Sequence, residues 1–109
     1  MTQLELREQK VRLTLELEDA VRHLKALRVA SEAHGEMLIG LGVALREKPE
    51  TVYRHGQSIH YGQSPETFTL LDDKIVIALD IRKIVEETNE IRKEAENVKK
   101  LKERLARLG

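Results

Sequence analysis

The sequence predicts a mainly α-helical fold, in which two long helices form an antiparallel coiled-coil hairpin with one short β-hairpin at its hinge. Both prolines and two closely spaced glycines fall within residues 49–65, and the segments on either side have helical apolar spacing. Charged residues make up 35% of the chain and aromatic residues only 3%, which is typical of long helices rather than of an ordinary globular core. We therefore interpret residues 1–109 as one domain, with a first helical arm over 4–48, a hinge over 49–65 and a second helical arm over 66–108.

The first arm has an apolar seam whose members recur at alternating four- and three-residue steps. This is the heptad pattern of a coiled coil, in which one face of a helix packs against a partner helix. The seam consists of Leu13, Leu17, Ala20, Leu24, Leu27, Ser31, His34, Leu38, Leu41 and Leu45. Four further apolar residues lie off this line, so the first turns carry more apolar surface than one partner helix covers. They are Leu4, Leu6, Val11 and Leu15.

The second arm begins with a capping signal, Ser64 followed by Pro65 and Glu66, which predicts a helix start. Its seam consists of Ile77, Ile81, Ile84, Thr88, Ile91, Ala95, Val98, Leu101, Leu105 and Leu108. Near the hinge both arms are apolar on every side, over Met37–Leu45 and Phe68–Val85, and a helix that is apolar all round is a buried helix. We expect further subunits to cover this excess, so that the chain oligomerises through its hinge end.

The hinge alternates in the manner of a β-hairpin, with strands over 52–55 and 58–61 and a type II′ turn at Gly56. In that register Val52 faces Tyr61 and Arg54 faces Ile59. An isolated two-stranded hairpin is marginally stable in water, so we expect its strands to pair with copies in other subunits.

Charge and composition argue against several classes of protein. Nineteen basic and nineteen acidic residues cancel, whereas a nucleic-acid or membrane-surface protein would show a basic excess. There is no cysteine, and no apolar stretch approaches the length that spans a membrane. We expect a cytoplasmic protein that binds neither nucleic acid nor membrane.

The histidines are the best candidates for a metal or catalytic site, but they do not form one in this interpretation. His55 and His60 are not directly opposed in the predicted hairpin, and no third ligand has motif spacing, whereas metal sites need three or four convergent ligands. The repeated Gly-Gln-Ser, at 56–58 and 62–64, lacks the lysine of a phosphate-binding loop. We expect no catalytic residue, no metal, no cofactor and no enzymatic activity.

The middle of the chain resembles the β-type subunit of prefoldin, an ATP-independent coiled-coil chaperone. An aliphatic-Tyr-basic start, a turn glycine, an aliphatic second strand, a glutamate and an apolar start to the next helix occur in the family's order. The matching residues are Val52, Tyr53, Arg54, Gly56, Ile59, Tyr61, Glu66, Leu70, Leu71, Lys74 and Ile75. The resemblance implies a hexamer, either of one chain or with a second, α-type chain, whose hairpins form a β-barrel platform. It also implies that the ends of the arms hold non-native proteins.

Two sets of candidate residues follow. Apolar residues at the free ends of the arms are expected to bind non-native clients, because exposed apolar clusters tend to mark binding surfaces. They are Leu4, Leu6, Val11, Leu13, Leu101, Leu105 and Leu108. Residues of the hinge and the start of the second arm are expected to form the oligomer. They are Val52, Tyr53, Gly56, Ile59, Tyr61, Phe68 and Leu71.

Two alternatives stay open at this point. Leu13, Leu101 and Leu105 fit equally well as residues that close the coiled coil. A structural or adaptor coiled-coil protein, which binds one defined partner, would also have this sequence pattern. Such a protein would bind its partner stoichiometrically and ignore unfolded clients.

Overall fold

The structure of the chain is a computed structural model that describes residues 2–55, 66–72 and 74–109. Contacts divide the chain into two units, which we name the helical unit (Met1–Val29 with Glu87–Gly109) and the sheet unit (Ala30–Glu86). The elements are α1 (Gln3–Glu47), a 3₁₀ turn (Pro49–Thr51), β1 (Val52–His55), β2 (Glu66–Leu70), β3 (Ile75–Leu79) and α2 (Ile81–Leu108). Two long helices, separated along the chain by a small antiparallel sheet, confirm the predicted fold class.

Local signals determine where helix α1 begins and ends. The hydroxyl of Thr2 accepts a hydrogen bond from the backbone N–H of Glu5 at 3.1 Å, and this satisfies one of the free donors of the first turn. At the other end, Lys48 precedes Pro49 and has a φ of −143°, because a residue before proline disfavours the helical region. The 45 residues of the helix contain no proline, and they cover nearly all of the first arm expected at 4–48.

The helical unit is built on the predicted seams. Within it, the amino-terminal part of α1 packs against the carboxyl-terminal part of α2, because heptad spacing places the apolar residues of each helix on one face. The buried core consists of Leu13, Ala20, Leu24, Val98 and Leu101, with Leu17, Ile91, Ala95, Leu105 and Leu108 packed against it. Every one of these residues belongs to a seam identified in the sequence.

The sheet unit contains three antiparallel strands in the order β1-β2-β3. Phe68 in the central strand pairs with Arg54 of β1 and with Ile77 of β3. One face of the sheet packs against α1, because side chains alternate along each strand and every second one points to the helix. The core of this unit consists of Leu41, Leu70, Ile77 and Leu79, with Ala44, Val52 and Phe68 packed against it.

The predicted second arm is wrong over its first part. Residues Glu66–Leu70 and Ile75–Leu79 are strands, and α2 begins only at Ile81. The backbone N–H of Lys83 donates to the carboxylate of Asp80 at 3.2 Å, so Asp80 caps the helix in the place that was expected for Ser64. Ser64 and Pro65 lie outside the described residues.

Short apolar runs explain this error. A run of five apolar residues such as 75–79 fits a buried strand as well as a helix, and periodicity alone does not separate the two. Two features favour strands over a helix here. β-Branched and aromatic residues are frequent in β2 and β3, and a polar turn separates the two segments. That turn contains Lys74, which has a φ of 54°. This value lies in the left-handed region, which neither a strand nor a right-handed helix uses, and β3 begins at the next residue.

The hinge prediction is confirmed in part. Strand β1 occupies Val52–His55, as the sequence predicts, but its partner in the described sheet is β2 rather than a strand at 58–61. Val52 pairs with Leu70 and Arg54 pairs with Phe68. The expected turn and second strand, with Gly56, Ile59 and Tyr61, lie outside the described residues. Three strands therefore stand where a single hairpin was expected.

Candidate functional site

The amino-terminal turns of α1 carry apolar side chains on the side away from α2. Leu4, Val11 and Leu15 are 65%, 60% and 56% exposed. At 3.6 residues per turn these three residues fall within an arc of about 40°, roughly opposite the residues that face α2. We name Leu4, Val11 and Leu15 the outer stripe. It is an apolar line on a helix whose other face is already packed.

The structure divides the seven predicted client-binding residues into three groups. Leu4 and Val11 are exposed, and Leu6, Leu105 and Leu108 are half-buried. Leu13 and Leu101 are only 2% and 4% exposed, because they belong to the core between the helices. These two residues close the coiled coil, and in this conformation they offer no surface to a client.

Two details of this end differ from the sequence interpretation. Leu6 precedes Leu13 by one heptad and shares its side of α1, so it is an extension of the seam rather than an off-line residue. Leu15 is exposed and completes the outer stripe, yet it was not included among the client-binding residues. Its spacing of four residues from Val11 is the signal that identifies it.

A polar contact joins α1 and α2 within the helical unit, beside the core residues Ala20 and Leu24. Nδ1 of His23 in α1 donates to Oε2 of Glu94 in α2 at 2.7 Å, and the Asn97 amide donates to Oε1 of the same carboxylate at 2.9 Å. These two hydrogen bonds lower the pKa of the Glu94 carboxyl below its ordinary value, and the one from Asn97 has the larger effect. Within the helical unit this contact links α1 and α2 at the edge of their packed faces, with the side chain of His23 57% exposed and that of Glu94 17% exposed.

The sheet unit exposes the face of its sheet that does not pack on α1. The register places Tyr53, Thr69 and Val76 in one row across the three strands, and Thr67 beside Ala78 in the next. Tyr53 is 60% and Val76 is 65% exposed. None of these five side chains is charged.

The predicted oligomerisation residues are not all on this exposed face. Tyr53 and Leu71 are exposed, whereas Val52 and Phe68 pack against the core of the sheet unit. Gly56, Ile59 and Tyr61 lie outside the described residues. Ile75 and Val76 belong to the apolar stretch 68–85 that further subunits are expected to cover, and both are exposed in β3.

A cleft of about 380 Å³ lies between α1 and the sheet within the sheet unit. Val43, Ala44 and Leu70 contribute apolar surface to it, and Lys48 and Asp72 contribute an ion pair of 3.1 Å. Both charged side chains are more than half exposed, so the pair is worth little as a source of stability. The cleft has the character of a surface groove.

Metal ligation and membrane insertion have no support in the part of the chain that the structure describes. Within those residues no three His, Asp or Glu side chains converge on a point where a metal ion would be held. His60 lies outside the described residues. No described helix has an apolar stretch long enough to cross a membrane. The absence of enzymatic activity stays a prediction.

No protein-family model, curated protein or solved structure matches this chain. Fold and site together define a helix–strand–helix protein, with two helices packed through heptad seams and an antiparallel three-stranded sheet between them along the chain.

Proposed function

We propose that this chain is a cytoplasmic, ATP-independent chaperone subunit of the prefoldin type, which holds non-native polypeptides through the outer stripe. The observation that carries this proposal is the exposure of Leu4, Val11 and Leu15 on a helix whose opposite face is already packed. Helix ends in water normally become polar. An apolar line kept at such an end serves contact with another apolar surface.

The size of the outer stripe supports weak and reversible capture. At the observed exposure its three side chains present roughly 300 Å² of apolar surface, the scale of a single recognition patch. At about 25 cal/mol per Å² this surface gives about 7 kcal/mol before the costs of association. Those costs are of similar size, so one stripe alone binds weakly.

Assembly of several chains would raise this weak affinity. When several stripes are held together, each further contact with one client becomes intramolecular, and avidity grows without any new type of contact. The exposure of Tyr53 and Val76 on one face of the sheet supports assembly through the sheet unit. Strand β3 adds to this support, since it has five uncharged residues and ends the described sheet on one side. The partner chain is a second copy or an α-type subunit.

A suppression assay tests the proposal. A chemically denatured model client is diluted into buffer without nucleotide, and its aggregation is followed by light scattering with and without the protein. We expect suppression by the native chain and its loss in the double variant Leu4→Asp, Val11→Asp. The matched control is Val21→Asp, Val29→Asp, because it adds the same charges at exposed valines of the same helix.

Two further measurements give this assay its meaning. Circular dichroism and light-scattering mass of both double variants confirm that helices and assembly are retained. Suppression that is unchanged in Leu4→Asp, Val11→Asp, with fold and mass intact, would contradict capture by the outer stripe. An equal loss in the control variant would attribute the effect to added charge alone.

The second candidate is an adaptor coiled coil, and the well-packed heptad core of the helical unit favours it, because adaptor coiled coils use the same packing. In that case the outer stripe would bind one defined partner. The native chain would then fail to suppress aggregation of several unrelated clients.

A further inference from the structure

We propose that the outer stripe selects client segments in amphipathic helical form rather than in extended form. This inference rests on the proposed function and deepens it, because it names the conformational class of the captured segment. Leu4, Val11 and Leu15 carry it through their spacing, the type of element on which they lie and the area that they expose.

The axial spacing of the outer stripe matches a helix and not a strand. Its members are separated by seven and then four residues, which at 1.5 Å per residue is about 10.5 Å and 6 Å. A partner helix with heptad apolar positions repeats at the same intervals. An extended segment presents its same-face side chains about every 6.8 Å and falls out of step at the first interval.

The backbone of α1 offers nothing to an extended segment. Polypeptides captured in extended form usually add a strand to a sheet edge, where main-chain hydrogen bonds supply the affinity. The N–H of Glu5 is taken by the Thr2 hydroxyl, and from Leu6 onward the N–H groups of α1 are bonded to carbonyl groups four residues earlier. A helical segment satisfies its own backbone and needs only apolar contact, which is what the outer stripe provides.

The length of the outer stripe sets the size of the captured segment. Beyond Leu15 the same line of the helix continues with Glu18 and Arg22, so the apolar part ends after about three turns. A matching segment therefore needs about three turns of amphipathic helix. Arg7 and Glu8 border the stripe with opposite charges, so segments with mixed flanking charges are accepted.

A second copy of this chain is a poorer occupant than a client helix. Stable self-association needs about 800 Å² of buried surface on each partner, and the outer stripe supplies roughly 300 Å² of apolar area. Contacts of this size form and break quickly. They suit transient capture of helical segments in partly folded clients, and not a permanent interface between copies.

Two peptides of equal length and composition test the inference. One places leucines at heptad positions among glutamate and lysine, and the other places them at every second position, as in a strand. Fluorescence anisotropy with the full chain should show at least about tenfold tighter binding of the heptad peptide, together with a gain of helical circular dichroism on binding. This preference should disappear in Leu4→Asp, Val11→Asp and persist in Val21→Asp, Val29→Asp.

Three results would overturn the inference. Equal binding of both peptides, lost in the Leu4→Asp, Val11→Asp variant, would remove the helical preference and leave the proposed function standing. Binding of the heptad peptide that is unaffected by that variant would remove the outer stripe from both proposals. A fall in solution mass in that variant would instead assign the stripe to contact between copies.

Discussion

Replacing Leu101 with alanine should destabilise the protein far more than the same change at Leu4, although both leucines lie near the same end of the helical unit. Leu101 is 4% exposed and belongs to the core with Leu13 and Val98, whereas Leu4 is 65% exposed. The comparison therefore separates residues that close the helix pair from residues that are exposed to solvent.

The magnitude follows from burial. Buried Leu→Ala changes cost about 2–5 kcal/mol, through lost transfer energy and the cavity left behind. The core of the helical unit is a single layer between two helices, so its walls can partly collapse, and we expect about 3 kcal/mol at Leu101. At Leu4 most of the side chain is already in water, and we expect less than about 0.5 kcal/mol.

Urea denaturation followed by far-UV circular dichroism measures both values. With a slope of about 1–2 kcal/mol per M, the Leu101→Ala midpoint should fall by about 1.5–3 M, and the Leu4→Ala midpoint should stay close to that of the native chain. All samples need one protein concentration, because association shifts apparent stability. Equal midpoints for the two variants would refute the division of these leucines into core and surface.

Three further substitutions test the local structure, each by the free energy of unfolding. Asp80→Ala should cost about 1 kcal/mol, because it removes the cap of α2; no loss would place the helix start elsewhere. Lys74→Gly should stabilise the protein by up to about 1 kcal/mol, because glycine tolerates its φ of 54°; destabilisation would contradict that turn. Glu94 has a lowered pKa, so its stabilisation is present above about pH 4.5 and is lost as the pH falls through the folded pKa. Glu94→Gln should therefore flatten the acid limb of the stability–pH curve more than Glu96→Gln does, and identical curves would contradict the contact.

The helical unit could be predicted from the sequence because heptad spacing depends only on local geometry. Once Leu13, Leu17, Ala20 and Leu24 are known to share a face, the helix and its packed side follow. The first helix also ends two residues before Pro49, and proline is the strongest local signal for a helix boundary.

The sheet unit could be predicted only in part, because its strands are decided by tertiary pairing. The alternation of residues predicts the strand Val52–His55, but its partner in the described sheet is Glu66–Leu70. That partner lies outside the hairpin expected over 52–61. The run Ile75–Leu79 satisfied a helical seam and a buried strand equally well. A stronger weight on β-branched residues, and on Asp80 as a cap, would have favoured the strands.

The candidate site was predicted as a region but not residue by residue. An excess of apolar residues at the helix ends is the signal for that region, and its role in client binding stays a prediction. Which leucines are exposed depends on how α1 is rotated against α2, and this rotation separates Leu13 from Leu15 although they are two residues apart. For Leu15 the sequence does indicate the exposed side, because Leu15 follows Val11 by four residues and therefore lies on the same face of α1.

The most direct test of the central claim is equilibrium binding of the native chain to one labelled protein in two states, folded and held non-native, without nucleotide. Fluorescence anisotropy should show binding to the non-native state only, with similar affinities for several proteins of unrelated sequence. Binding that requires one particular folded protein, or no binding to any non-native protein, would contradict the chaperone account and favour an adaptor.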